Sequence, residues 1–195
     1  LRVELTVPPD TDPAMLLGKD AVFLMFGADG EERTVGLVTE VRGDPPDVEH
    51  EPRLHLRVQP ALALLALRRD TRIFQDQGVD EIVQTVLDEA LGPYGREATI
   101  TLNGSHGTRE YCVQYEESDL DFVHRLLEEE GIHYLFDHSG DAERLLLGDD
   151  DSGFEEVGSI PFLADHVDSD GRASIRRLRP SKRASITHSQ LGDWS

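Results

Sequence analysis

The sequence predicts an α+β protein: mainly antiparallel, barrel-like β domains with a small α/β insert. Three observations lead there. Short strands with period-two alternation fill the first third, two amphipathic helices with clear start and stop signals occupy the middle, and short β segments return afterwards.

Taken in order, Arg2–Val7 alternates polar and apolar residues, which places Val3, Leu5 and Val7 on one face before Pro8-Pro9-Asp10 breaks the strand. Ala21–Phe26 is apolar throughout and predicts a strand covered on both faces. Gly27–Gly30 turns it into a strand over 34–41, with Val35, Leu37 and Val41 sharing a side. A polar loop with Pro45, Pro46 and Pro52 leads to Leu54–Val58. Strands this short, joined by turns, suit a small barrel or sandwich.

Val79, Ile82, Val83, Val86, Leu87, Ala90 and Leu91 then recur at helical spacing until Gly92-Pro93. Thr99–Leu102 and Tyr111–Tyr115 predict strands. A second helix follows: Ser118 can accept a first-turn N–H, and Asp119 and Asp121 suit the positive end of the helix dipole. Leu120, Val123, Leu126 and Leu127 form its stripe, and Gly131 ends it. These residues are expected to cover Tyr111, Val113 and Tyr115 on the preceding strand. Arg125 is spaced to pair with Asp121 and Glu129, and Glu117 to bond back to the backbone near the cap. Ile132–Phe136 and Leu145–Leu147 predict further strands, with an acidic turn over 148–153. The tetrapeptide Arg-Ala-Ser-Ile, at 172–175 and again at 183–186 around Pro180, predicts two paired strands.

The 195 residues, 38% hydrophobic and 30% charged, are enough to bury a core. No window approaches the ~20 apolar residues of a membrane-spanning helix, so no stable membrane insertion by this region is expected. The chain begins at Leu1 without a signal-peptide pattern, as expected of a piece of a longer chain. Cys112 is the only cysteine, which rules out an internal disulfide and suits a small buried hydrophobe. A net charge of -20 would repel phosphate backbones and anionic membranes, so no nucleic-acid partner is expected.

The search for chemistry finds no catalytic, cofactor-binding or metal residue. There is no glycine-rich phosphate loop and no zinc-protease helix. His133 and His138 would point to opposite faces of an extended strand. Asp149-Asp150-Asp151-Ser152-Gly153 suggests calcium, but the twelfth position of such a loop, which should be glutamate, is Ile160. Gly104-Ser105-His106-Gly107 lacks the surroundings of a nucleophile elbow and reads as a loop.

Three stretches carry a resemblance. Arg72-Ile73-Phe74-Gln75 leads into the first helix. Glu110-Tyr111-Cys112-Val113-Gln114-Tyr115-Glu116-Glu117-Ser118-Asp119-Leu120-Asp121-Phe122-Val123-His124-Arg125-Leu126-Leu127-Glu128-Glu129-Glu130-Gly131-Ile132 is a strand–helix–strand block, and Leu145-Leu146-Leu147-Gly148-Asp149 follows it. In this order they resemble the N-terminal hub region of the VgrG (valine-glycine repeat) spike family of type VI secretion systems, related to phage baseplate hub and late-control proteins. Weaker similarity runs from Leu16-Leu17-Gly18 to Leu64-Leu65. The family's tryptophan-rich stretch is here Ala61-Leu62-Ala63, which predicts a loss of aromatic packing. Family members carry extra N-terminal strand residues before the position of Leu1 and a β-helical needle beyond this chain. Apolar edges left without that strand are expected to favour misassembly.

The resemblance implies a fold of the phage baseplate hub type, divided into a partial β-barrel domain (1–67), an α/β insert with two helices (68–138) and a β-rich part of a second barrel domain (139–195). It implies a homotrimer that adapts a threefold spike to a hexameric, Hcp-like tube protein within a baseplate. Assembly in the bacterial cytoplasm and then secretion or delivery to a target cell would follow. The roles it carries over are structural and fall on Arg72, Ile73, Phe74, Tyr111, Gln114, Tyr115, Glu117, Ser118, Asp119, Phe122, Arg125, Leu126, Glu128, Glu129 and Gly131. Two alternatives stand beside it: the hub of a phage tail or extracellular injection system, and a specialised spike whose enzymatic domain lies outside this region.

Overall fold

The computed structural model describes residues 1–27, 30–44, 51–153, 159–163 and 174–181. They fall into two units, Leu1–Met25 with Glu31–Glu156, and Phe26–Gly30 with Val157–Ser195. The alternating first third forms β1 (Arg2–Thr6), β2 (Asp20–Gly27), β3 (Gly30–Gly43) and β4 (Arg53–Gln59), in the order β1-β4-β3-β2. β4 is antiparallel to β1 and to β3, and Leu56 stands opposite both Val3 and Val41. Val38, Leu54, Leu56 and Val58 turn to one face and close a small core with Val3, Val7, Leu16 and Ala21. On the polar side, Arg57 pairs with Glu40 and Arg53 with Glu4, each at 3.1 Å. At Gly36 the strands come so close that a Cβ would stand 2.9 Å from the Gln59 carbonyl oxygen, which only glycine permits.

Among the described residues, the expected double cover over Ala21–Phe26 is not seen. β2 is an edge strand, and Val22, Phe23, Leu24 and Met25 are exposed, Met25 by 52%. An all-apolar run signals that a strand is meant to be covered; it does not say that the cover comes from the same chain.

The middle of the chain builds a larger core. A 3-10 helix over Ala61–Leu67 buries Ala61, Leu62 and Leu65, so the stretch expected to lack aromatic packing is packed with aliphatic residues instead. β5 (Arg69–Gln77) pairs with β7 (Arg109–Ser118) as a two-stranded ribbon. β6 (Ala98–Thr101), β8 (His133–Asp137) and β9 (Arg144–Gly148) make a second sheet, with β9 parallel to β6 and antiparallel to β8. Between them lie α1 (Val79–Leu91) and α2 (Asp119–Glu130). Ile82, Val86 and Leu87 of α1 and Phe122, Leu126 and Leu127 of α2 belong to one core with Leu65, Cys112, Leu145 and Leu147. The mainly antiparallel α+β class is therefore the observed one.

The helix ends show how local the signals are. α1 ends at Leu91, just before Gly92-Pro93 as read, but Gly92 is still right-handed: a 3-10 turn follows to Tyr94, and Gly95 (φ 65°) makes the left-handed exit. α2 is capped as read, with Ser118 Oγ accepting from the Asp121 N–H at 3.1 Å and Gly131 left-handed at φ 69°. Gly131→Ala is expected to destabilise the chain by about 1–2 kcal/mol in urea titrations, through backbone strain. A Cβ there would touch nothing within 4 Å.

β7 turns inward the face opposite to the one expected. Gln114 and Cys112 are buried, whereas Tyr111 is 61% and Tyr115 69% exposed, with Val113 exposed between them. Alternation fixes which residues share a face but not which face is inward, and a polar partner waiting inside decides it for Gln114. Opposite Thr71, β7 bulges at Tyr115 and Glu116, with Glu116 in a left-handed conformation (φ 47°).

In the second unit, Phe162 and Ile175 form a parallel bridge. Of the pairing expected between 172–175 and 183–186, only residues 174 and 175 lie within the described residues.

Candidate functional site

The motif residues converge on a buried polar staple rather than on a reaction centre. Asp119 heads α2 and is fully buried. Its carboxylate accepts hydrogen bonds from Arg72 Nη2 (2.6 Å), Arg68 Nε (2.8 Å) and Gln114 Nε2 (2.8 Å). Arg72 Nε also donates to Gln114 Oε1 at 2.9 Å, and Arg72 Nη1 to Glu89 of α1 at 2.7 Å. One guanidinium thus ties both strands of the ribbon to both helices. Every buried group in it is paired, the condition under which a polar network rigidifies a core. Phe74 stacks on Phe122 beside it, with centroids 5.8 Å apart.

On the flank of α2, Arg125 reaches Glu117 at 2.6 Å and Glu129 at 3.5 Å, and lies over the Phe122 ring. The expected Arg125–Asp121 pair is not made, because Asp121 accepts from Ser118 Oγ at 2.6 Å. Glu117 engages Arg125 rather than the backbone. Leu126 is in the core, Glu128 gives its carbonyl to the Gly131 N–H, and Ile73, Tyr111 and Tyr115 face outward.

The loop around Ser105-His106 is more organised than its sequence suggests. His106 Nδ1 lies 3.0 Å from Glu130, and Nε2 3.0 Å from Asp149. Asp149 also accepts the Asn103 and Gly104 N–H groups at 2.9 and 2.7 Å, so the acidic turn serves as a loop clamp. With both ring nitrogens facing carboxylates, neither is free to activate a nucleophile. His138 Nδ1 accepts from the Val35 N–H at 3.2 Å. No group of three metal-ligating side chains occurs among the described residues.

These contacts have a pH signature. Hydrogen bonds to Asp149 and then Glu130 raise the His106 pKa; His106 and then Arg109 lower that of Glu130; the Asn103 N–H, then His106, lower that of Asp149. A raised imidazole stabilises the fold below its ordinary pKa of about 6.5 and loses that contribution as pH climbs through the raised value. Lowered carboxylates contribute above their ordinary range, near 4, and fail as pH falls through the lowered values. The clamp is therefore firmest between roughly pH 4.5 and 6.5. Melting temperatures at pH 6 and 8.5 should fall further for the natural chain than for His106→Gln; equal falls would show that the clamp contributes nothing.

A second buried pair escaped the sequence reading. Glu143 accepts from Arg96 Nε at 3.0 Å and from the Ala61 N–H at 2.8 Å, while Arg96 Nη2 donates to Asp20 at 2.7 Å. No local pattern marks such a contact, because its partners stand 47 to 82 residues apart.

Comparison with known proteins places these features. The phage tail baseplate hub (GPD) family model matches residues 1–195. The chain is 46% identical over 106 residues to the type VI secretion system spike protein VgrG4b of Pseudomonas aeruginosa, covering 54% of this chain and 13% of that protein. It is 35% identical over 148 residues to the actin cross-linking toxin VgrG1 of Vibrio cholerae, 75% of this chain and 13% of that one. Among solved structures, the E. coli c3393 protein, a type VI secretion component similar to T4 tail proteins gp27 and gp5, superposes with TM-score 0.70 at 31% identity. That match covers 80% of this chain and 43% of the solved one. The chain thus spans only about an eighth of these two curated relatives.

Proposed function

The chain belongs to the phage tail baseplate hub family, and on that premise we propose that it forms the trimeric hub at the base of a type VI secretion spike. The observation that carries this reading is the uncovered apolar edge strand β2. A stable monomer hides such an edge or charges it; a subunit of a ring leaves it open for a neighbour. The role is mechanical. In this proposal the regions at 1–67 and 139–195 each supply one contact with the tube, so three subunits meet a hexameric, Hcp-like ring. The insert at 68–138, locked by the Asp119 staple, keeps that geometry under thrust.

In this reading the region has no catalysis of its own, and any toxin activity belongs to other parts of a longer protein, as the name of the Vibrio relative suggests for that protein. The partners are two further copies, the tube protein and baseplate components; assembly takes place in the cytoplasm and precedes delivery. Electron microscopy of the full-length protein mixed with purified tube tests this. Threefold particles seated on tube ends are expected. Particles that never engage tube ends would sink the adapter role.

A further inference from the structure

The β5–β7 ribbon offers a second uncovered surface. Its strands pair only with each other among the described residues. On the outer face Ile73 stands opposite Val113, with Tyr111 and Tyr115 two residues to either side on the same strand. All four are exposed. A contiguous tyrosine-rich apolar patch on a soluble surface marks a binding site. Its rim is acidic, with Asp70, Asp76, Glu110 and Glu116 exposed along the same strands against Arg69.

At net charge -20 most of another copy's surface would be repelled. The longest stretch free of acidic residues lies between Asp170 and Asp193. Within it Arg176, Arg177 and Arg179 are exposed and form no ion pair among the described residues, beside exposed Ile175 and 78%-exposed Leu178. The two surfaces match in kind, apolar centre to apolar centre and carboxylate rim to guanidiniums.

We infer that the outer face of the β5–β7 ribbon binds the Ile175–Arg179 segment of a second copy. Tyr111 and Tyr115 cover Ile175 and Leu178, and arginines stack on the rings or pair with the rim. Because the contact joins two different surfaces, it is heterologous and closes into a ring by rotation, as a threefold hub requires. The inference rests on the trimeric reading above.

The test uses a labelled peptide of residues 174–181, titrated into the full-length protein carrying R176E, R177E and R179E, whose own segment no longer competes. Saturable anisotropy is expected, weakened at least tenfold by adding Y111S and Y115S and again by 0.5 M salt. Circular dichroism melts confirm that these exposed substitutions leave the fold intact. No binding, or binding indifferent to Y111S/Y115S, overturns the inference. Light scattering separates it from its premise. A natural protein that is trimeric, with a mass unmoved by the three arginine substitutions, refutes this contact and leaves the hub standing. A natural protein that is monomeric throughout refutes the hub itself.

Discussion

Asp119→Ala is expected to destabilise the chain by about 3–5 kcal/mol, since it removes the acceptor from a buried charge pair and leaves its donors behind. Arg72, only 16% exposed at its side chain, would lose its shortest ion pair, and Gln114, fully buried, its carboxylate partner. Asp119→Asn keeps the shape and one acceptor, so its effect should be smaller. Replacing Arg72 and Asp119 together by Met and Leu should cost less than the sum of the single changes, because neither partner is then stranded. Urea unfolding followed by circular dichroism measures all of these variants. A loss below about 1 kcal/mol for Asp119→Ala, the scale of an exposed pair, would show that the staple holds little.

Met25→Lys is expected to abolish assembly while leaving the subunit folded. Met25 is half exposed on edge strand β2, so a lysine there disturbs little of the subunit's own packing, and its stability should change by no more than about 0.5 kcal/mol. A charge on an open edge is also the device by which monomeric β proteins prevent edge-to-edge pairing. Sedimentation velocity should show the full-length variant at the mass of one chain under conditions where the natural protein is assembled. A variant that assembles as before would remove β2 from the interface.

What the sequence made legible was local. α2 could be read from Ser118 to Gly131 because cap, dipole-matched acids, stripe and left-handed exit all lie within one stretch. α1, whose apolar stripe was equally clear, ends before Gly92-Pro93 as read; what was not legible is the 3-10 turn that carries the left-handed exit on to Gly95. The inward face of β7 was not legible. Tyr111, Val113 and Tyr115 form the more apolar face, and only the meeting of Gln114 with Asp119 and with Arg72, 42 residues away, makes the other face inward. The His106 clamp was hidden for the same reason, its carboxylates lying 24 and 43 residues distant. For β2 the hydrophobicity was visible and its edge position was not, because an apolar run does not say which element, if any, covers it. The resemblance located the motif; the structure shows that it serves a staple inside and a tyrosine face outside.

Every part of the mechanism depends on subunits meeting across surfaces that one chain leaves open. The most direct test is the absolute mass of the full-length protein, by light scattering on an eluting peak over a range of concentrations. The account predicts three times the mass of one chain, constant across the peak. A single-chain mass at every concentration would contradict it.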